Sequence, residues 1–355
     1  MDKYIIFHVE GGIGKNLMAT AVATAIKKAH PDRKLIVTAP WGAVWFNHPT
    51  IDRFYILGQT PYFFEDYIKN KDTWIFKSEP YHHHDFLNGK RYLADIWCEQ
   101  LGVPYNGELP VLILSKNEKD NIARKLKGFG KPIFALQTNG GGPQDYPVSW
   151  VRDVPLSNIK DVINEVNKEY KIIHIRREDQ LEIKGVDFIQ TPNIRDLFAL
   201  VDYSHNRLLI DSFAQHAAVA LDRPSTVLWP IDNVKTLGYP DFHNNIVSTA
   251  DTRKVQLIDS YLGTSPINGE FLHECPFDTD DIFDQDKISD SLDELEEKEF
   301  YATSEDRGGA KNKNVLQPQD QQPLPPGTGI MPPDAPRLQP AHNTNRQKKR
   351  KRRRR

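Results

Sequence analysis

Asn206–Pro230, NRLLIDSFAQHAAVALDRPSTVLWP, carries a complete strand–helix–strand unit. Leu208–Ile210 is a short apolar run, and Thr226–Trp229 is another. Between them, Ser212–Leu221 is rich in small residues at helical spacing, and Arg223-Pro224 breaks it. Apolar strands separated by a helix read as parallel strands buried on both faces. Asp211 and Ser212 fall where the first strand ends and the helix begins. Free N–H groups and the helix dipole at such a point favour a phosphate. A simpler reading is that both residues cap the helix. His216 sits in the first turns, facing a diphosphate or donor sugar on one reading and filling the core on the other. Ala214, Ala217 and Ala218 let the helix lie close to a neighbour.

The same alternation extends outward. Strands are expected at Pro132–Gln137, Lys171–Ile175 and Asp187–Ile189, and helices at Asn158–Lys168 and Asn193–Val201. An earlier set begins with a strand at Tyr4–Val9, a helix from Lys15 to about Ala29 closed by His30-Pro31, and a strand at Leu35–Thr38. An aromatic, irregular stretch follows. Then come a helix at about Lys90–Leu101, a strand at Pro110–Leu114 and a helix at Lys116–Leu126. Two α/β halves, 1–128 and 129–266, facing across a ligand-bearing cleft, are the expected arrangement.

The first half opens on VEGGIGKNLMAT, Val9–Thr20. A phosphate-binding P-loop needs glycine where Val9 stands and Ser or Thr where Asn16 stands. Glu10 replaces the leading lysine of the deviant form, and its charge repels a triphosphate. Gly12 and Gly14 instead suit a tight strand-to-helix turn facing a cleft, or one packed on the other half. A nucleotide hydrolase or kinase built on this loop is the reading the mismatches disfavour. Tyr81–Phe86, YHHHDF, does not make a metal site, because neighbouring histidines on extended backbone point apart.

The chain has 355 residues and a net charge of −2 that conceals two opposed blocks. Pro276–Phe300 is acidic, with DSLDELEEKEF expected to form a short helix, marginal without a partner. Arg346–Arg355, RQKKRKRRRR, is basic and would attract an anionic membrane surface or nucleic acid. Its lack of aromatic residues argues against base stacking. The Pro- and Gln-rich stretch before it makes 305–355 an expected disordered tail, and 267–304 a separate acidic segment. Two distant cysteines and no long apolar run lead to the expectation of a cytoplasmic protein.

Ile210–Pro230 resembles the D-S-G-x-x-H-x-A-A-A-L-x-x-P-x-x-x-L-x-G-P segment of glycosyltransferase family 9, the ADP-heptose:lipopolysaccharide heptosyltransferases. Asp211, Ser212, His216, Ala217, Ala218, Ala220, Leu221, Pro224, Leu228 and Pro230 carry the match. The flanks Asn193–Ile210 and Pro230–Pro240, the opening Gly11–Val37 and the string NHPTIDRFY are similar to the family as well. The resemblance covers roughly Tyr4–Val247. It implies a GT-B fold: two Rossmann-like domains, the first holding a glycan or lipid-linked acceptor, the second a nucleotide-diphospho-sugar. It further implies inverting, metal-independent transfer with no cofactor, and places the protein at the inner membrane face, where the basic tail would tether it.

Lys15 stands where the family has its catalytic aspartate, and an ammonium is a poor base at neutral pH. Glu10 is the candidate substitute. Phe213 replaces the glycine after Asp-Ser, and Val148 the phosphate-binding lysine, whose role Arg152 is placed to take. Arg176 and Arg177 follow a buried strand and suit a diphosphate, and Glu178 suits a ribose. The glycine loop Asn139–Trp150 is open to either substrate. A degenerate relative that binds nucleotide sugar or glycan without transfer is the alternative.

Overall fold

The computed structural model describes residues 1–140, 152–191, 193–231, 233–250 and 278–305. Their strands form two wholly parallel sheets. The first contains β1 (Lys3–His8), β2 (Lys34–Ala39), β3 (Arg53–Ile56) and β4 (Asp72–Phe76), in the order β3-β2-β1-β4. The second contains β5 (Ile133–Leu136), β6 (Lys171–His174), β7 (Asp187–Phe188), β8 (Asn206–Ile210), β9 (Thr226–Trp229) and β10 (Asn244–Val247), in the order β10-β9-β8-β5-β6-β7. Each sheet reverses direction once. The chain steps from β1 through β3 to one side and returns with β4 on the other. It steps from β5 through β7 and returns with β8. At these reversals the loops leave in opposite directions and open a crevice at the carboxyl ends of the strands.

Strand alternation divides the core. On β1, Ile5 and Phe7 face the helix Ile13–Ala29, whereas Tyr4 and Ile6 pack with Ile36 and Tyr67 on the other face. On β5, Ile133 and Ala135 belong to the same cluster as Ile5 and Phe7. One apolar core therefore runs from one sheet to the other. The helix Ile13–Ala29 packs on the helix Phe213–Ala220, and the helix Lys116–Leu126 packs on the helix Ile194–Tyr203.

A buried arginine fastens the second of these contacts. Arg195 donates to the carbonyls of Ala43 (2.6 Å) and Ile113 (2.5 Å) and to both oxygens of Glu118. Glu118 also closes a capping box with Ser115 at the start of its own helix. The Arg195 guanidinium, foremost among its partners, holds the Glu118 carboxyl down to about 2.

The expected strand at Pro110–Leu114 is absent. Val111 N–H donates to Thr20 Oγ1 (2.8 Å) and the Ile113 carbonyl accepts from Arg195, so side chains take the bonds a ladder would need. The irregular aromatic stretch holds β3 and β4, short edge strands whose part-exposed residues show no clean alternation. β10, also an edge strand, gave no signal for the same reason.

The acidic helix runs over Gln285–Glu305 and has a partner. Ile288, Leu292 and Leu295 are buried, Ile288 and Leu292 in the cluster on the outer face of the second sheet. Asn206 Nδ2 donates to the Leu292 carbonyl at 2.9 Å, and the Thr226 and Ser291 hydroxyls lie 2.7 Å apart. The tail 306–355 and the segment 251–277 lie outside the described residues.

Ile288→Ala is expected to lower stability by about 2–4 kcal/mol in denaturant unfolding, the usual range for truncating a fully buried aliphatic side chain. A helix that merely trailed from the domain would leave the midpoint unchanged.

Candidate functional site

Where the two reversals face each other, a cavity of about 490 Å³ is lined by Gly12, Gly14, Lys15, Trp41 and Tyr81 from the first half. From the second come Gln137, Arg152, Arg176, Arg177, Asp211, Ser212, Phe213 and His216, among others. Two helix N-termini thus open onto one space.

The first N-terminus is held by its glycines and by tryptophans. Gly11 adopts φ +93°, and a Cβ there would lie 2.9 Å from Lys15 Cδ, so both backbone and space require glycine. Asn16 binds the Gly12 carbonyl (2.9 Å) and accepts from Trp45 Nε1 (3.2 Å), while Trp41 Nε1 donates to the Gly11 carbonyl (3.1 Å). Asn16 therefore shapes the turn. Gly12 is the N-cap residue and supplies no side-chain cap, so the first amides point unshielded at the cavity.

The second N-terminus is also uncapped by a side chain. Ser212 occupies the N-cap position, but its hydroxyl accepts from Gln137 Nε2 (3.1 Å) and makes no cap bond. Asp211 accepts from Gln215 Nε2 (3.1 Å) and lies 3.5 Å from Arg152 Nε. It is the one carboxylate among the described residues lining the cavity. Asp211 and Ser212 therefore do not cap the helix with their side chains: they tie its start to Arg152, Gln215 and the residue after β5.

The backbone beyond β5 is fixed in turn. Asp153 accepts from Gly140 N–H (2.7 Å) and Asn139 Nδ2 (2.9 Å), and Gln180 Nε2 donates to the Gly140 carbonyl (2.6 Å). The remainder of the glycine loop, 141–151, lies outside the described residues.

Three cationic features differ from simple expectation. Lys15 Nζ is gripped by both oxygens of Glu79 (2.8 and 2.6 Å) and lies over the rings of Tyr81 and Trp97. Arg176 folds over Phe188 at 3.9 Å and binds the carbonyls of Arg177, Glu178 and Gln180, bracing its own turn. Arg177 makes a two-pronged pair with Asp179 (2.9 and 3.1 Å). Both arginines line the cavity, each with a local partner.

Glu10 and Glu178 do not line it. Glu10 turns to Lys77 (2.8 Å) and His8 (2.9 Å), and Lys77, then His8, bring its carboxyl down to about 2, which makes it a weak base. Glu178 is exposed and accepts from Gln190 (3.0 Å). Ala214 is buried behind the wall. Gln137, Glu79, Trp41 and Tyr81 are additions that the sequence did not single out. Gln137 had a signal, since it ends a strand beside the glycine loop. Glu79 had none, being 64 positions from Lys15.

The site is thus a largely apolar pocket with two dipole ends, several cations and one tethered carboxylate, a composition that suits a bound diphosphate. Neither a family model nor a curated protein matches the chain. Solved structures do. A glycosyl transferase family 9 protein from Veillonella parvula is 14% identical with a TM-score of 0.58, covering 84% of this chain and 98% of its own. The ADP-heptose LPS heptosyltransferase II of E. coli is 12% identical with a TM-score of 0.56, covering 84% and 99%. The dodecameric iron-containing heptosyltransferase TibC, solved with ADP-D-β-D-heptose, is 13% identical with a TM-score of 0.59, covering 86% and 80%. The chain has the GT-B fold of these structures.

Burial keeps several histidines neutral around this site. Desolvation lowers His216, His174 and His48 to about 4, and His243 to about 3. Unfolding releases each to its ordinary value near 6.5, so the unfolded chain binds more protons below that pH. Stability is expected to be full above about pH 6.5 and to fall as pH drops from there toward 4. Denaturant midpoints measured across that window check this. A flat profile would mean that these rings are solvated.

Proposed function

We propose that the protein is a glycosyltransferase that moves a sugar from a nucleotide-diphospho-sugar to a glycan or lipid-linked, lipopolysaccharide-type acceptor. Transfer is inverting and needs no metal or cofactor. The observation that carries this reading is the meeting of two helix N-termini, free of side-chain caps, with Lys15, Arg152, Arg176 and Arg177 in one cavity. A departing nucleoside diphosphate gains negative charge during transfer, and preset amides and cations stabilise that charge without reorganising. The likeness in fold to TibC, whose structure holds ADP-D-β-D-heptose, supports a donor of the same class. The second half would hold the nucleotide. The first, with Trp41 and Tyr81 on the wall, would hold the acceptor.

A second reading has a specific observation behind it. Lys15 is committed to Glu79, and Asp211 accepts from Gln215 through Oδ1 while its buried Oδ2 stands 3.5 Å from Arg152 with no hydrogen bond among the described residues. No other carboxylate lies on the described cavity wall. A relative that binds the nucleotide sugar without transferring it fits that charge pattern. The basic tail, on either reading, would draw the protein to an anionic membrane face.

Calorimetric titration with a panel of nucleotide sugars, beginning with ADP-D-β-D-heptose, followed by a nucleotide-release assay with and without EDTA, decides between them. Binding with EDTA-insensitive release supports transfer. Binding without release supports the second reading. If no nucleotide sugar binds, both fail. Lys15→Met is expected to weaken donor binding about 10-fold or more, because it removes a charged donor and strands Glu79 beside the diphosphate. Lys15→Met/Glu79→Gln is expected to recover part of that loss.

A further inference from the structure

Among the described residues on the cavity wall, His216 is the one imidazole. Its Nδ1 lies 2.7 Å from the Tyr239 hydroxyl, and both residues are buried. The two rings meet edge to face at 5.6 Å. Tyr239 is itself packed by Tyr92 from the first half (5.8 Å) and by His243 (5.9 Å), so its ring is held from two sides. The opposite edge of the imidazole faces the first turn of the N-terminal helix. A Cβ on Gly14 would lie 3.1 Å from His216 Cδ2 and 3.5 Å from Nε2. Among the described residues, the ring's hydrogen bond is the one at Nδ1.

Burial keeps the ring neutral at pH 7, lowering it to about 4, so what the cavity meets depends on the tautomer rather than the charge. A phenol is a stronger donor than acceptor, and an unprotonated imidazole nitrogen is a good acceptor. A separation of 2.7 Å suits O–H···N. With Nδ1 accepting, the proton resides on Nε2.

We infer that Tyr239 is a positioning residue: its hydroxyl donates to His216 Nδ1 and fixes the tautomer whose Nε2–H faces the cavity. An uncharged donor then stands between the two helix N-termini, where the other tautomer would present a lone pair to an oxyanion. The tautomer stands on geometry alone. Its use, as a donor to the diphosphate, rests on the nucleotide-sugar reading.

Long-range proton–nitrogen NMR of the full chain labelled with ¹⁵N-histidine tests this, with His216→Gln identifying the signal. The expected result at pH 7.5 is an Nε2-protonated pattern in the wild type and a mixed pattern in Tyr239→Phe. Pyrophosphate, used as the probe, is expected to bind Tyr239→Phe about 3- to 10-fold more weakly, the effect of one hydrogen bond. An Nδ1-protonated wild type overturns the inference. So does a Tyr239→Phe variant with unchanged tautomer and unchanged pyrophosphate affinity. Should that variant not fold, the wild-type spectrum decides alone. Failure of pyrophosphate to bind the wild type counts against the nucleotide-sugar reading and leaves the tautomer result to stand by itself.

Discussion

The close approach of two helices, Ile13–Ala29 and Phe213–Ala220, is the contact on which the site depends. Gly14, with no side chain, leaves room there for the His216 ring, and Ala214, Ala217 and Ala218 on the partner helix are fully buried. Each helix leaves the carboxyl end of a strand beside its sheet's reversal point. Bringing the helices together therefore brings the reversal points together. The dipoles that result are aimed at the same space, and neither is quenched by a capping side chain.

Much of this was legible in the chain. The strand–helix–strand reading of Asn206–Pro230 fixed the second sheet's centre, and the run of alanines announced a closely packed helix. Gly14 gave the matching signal in the first half. What escaped was local to edges and to distant pairings. β3, β4 and β10 are short edge strands with mixed exposure, so the twofold alternation that marks a half-buried strand is blurred. Pro110–Leu114 had strand-like composition but spends its backbone bonds on Thr20 and Arg195. The acidic helix read as short and marginal without a partner because its charges mask Ile288, Leu292 and Leu295, which are buried. Glu79 was invisible because its meaning lies in Lys15, across the sheet.

The charges of the cavity depart most from the heptosyltransferase-like pattern. Lys15 stands where the resemblance implies an aspartate, and the fold does not leave its ammonium bare. Glu79 and two aromatic faces surround it. Within the second half, Arg152 meets Asp211. With Arg177–Asp179, three of the cavity's cations thus enter ion pairs. An entering diphosphate competes with Glu79 and Asp211 for these cations, so affinity depends on how readily each pair yields.

Arg195 sets a limit on how the architecture can move. Its buried guanidinium reaches from the second half to carbonyls at Ala43 and Ile113 and to Glu118. Swinging the sheets apart would break these four bonds together and exchange them for water. Wide clamshell breathing is thereby taxed at the hinge itself.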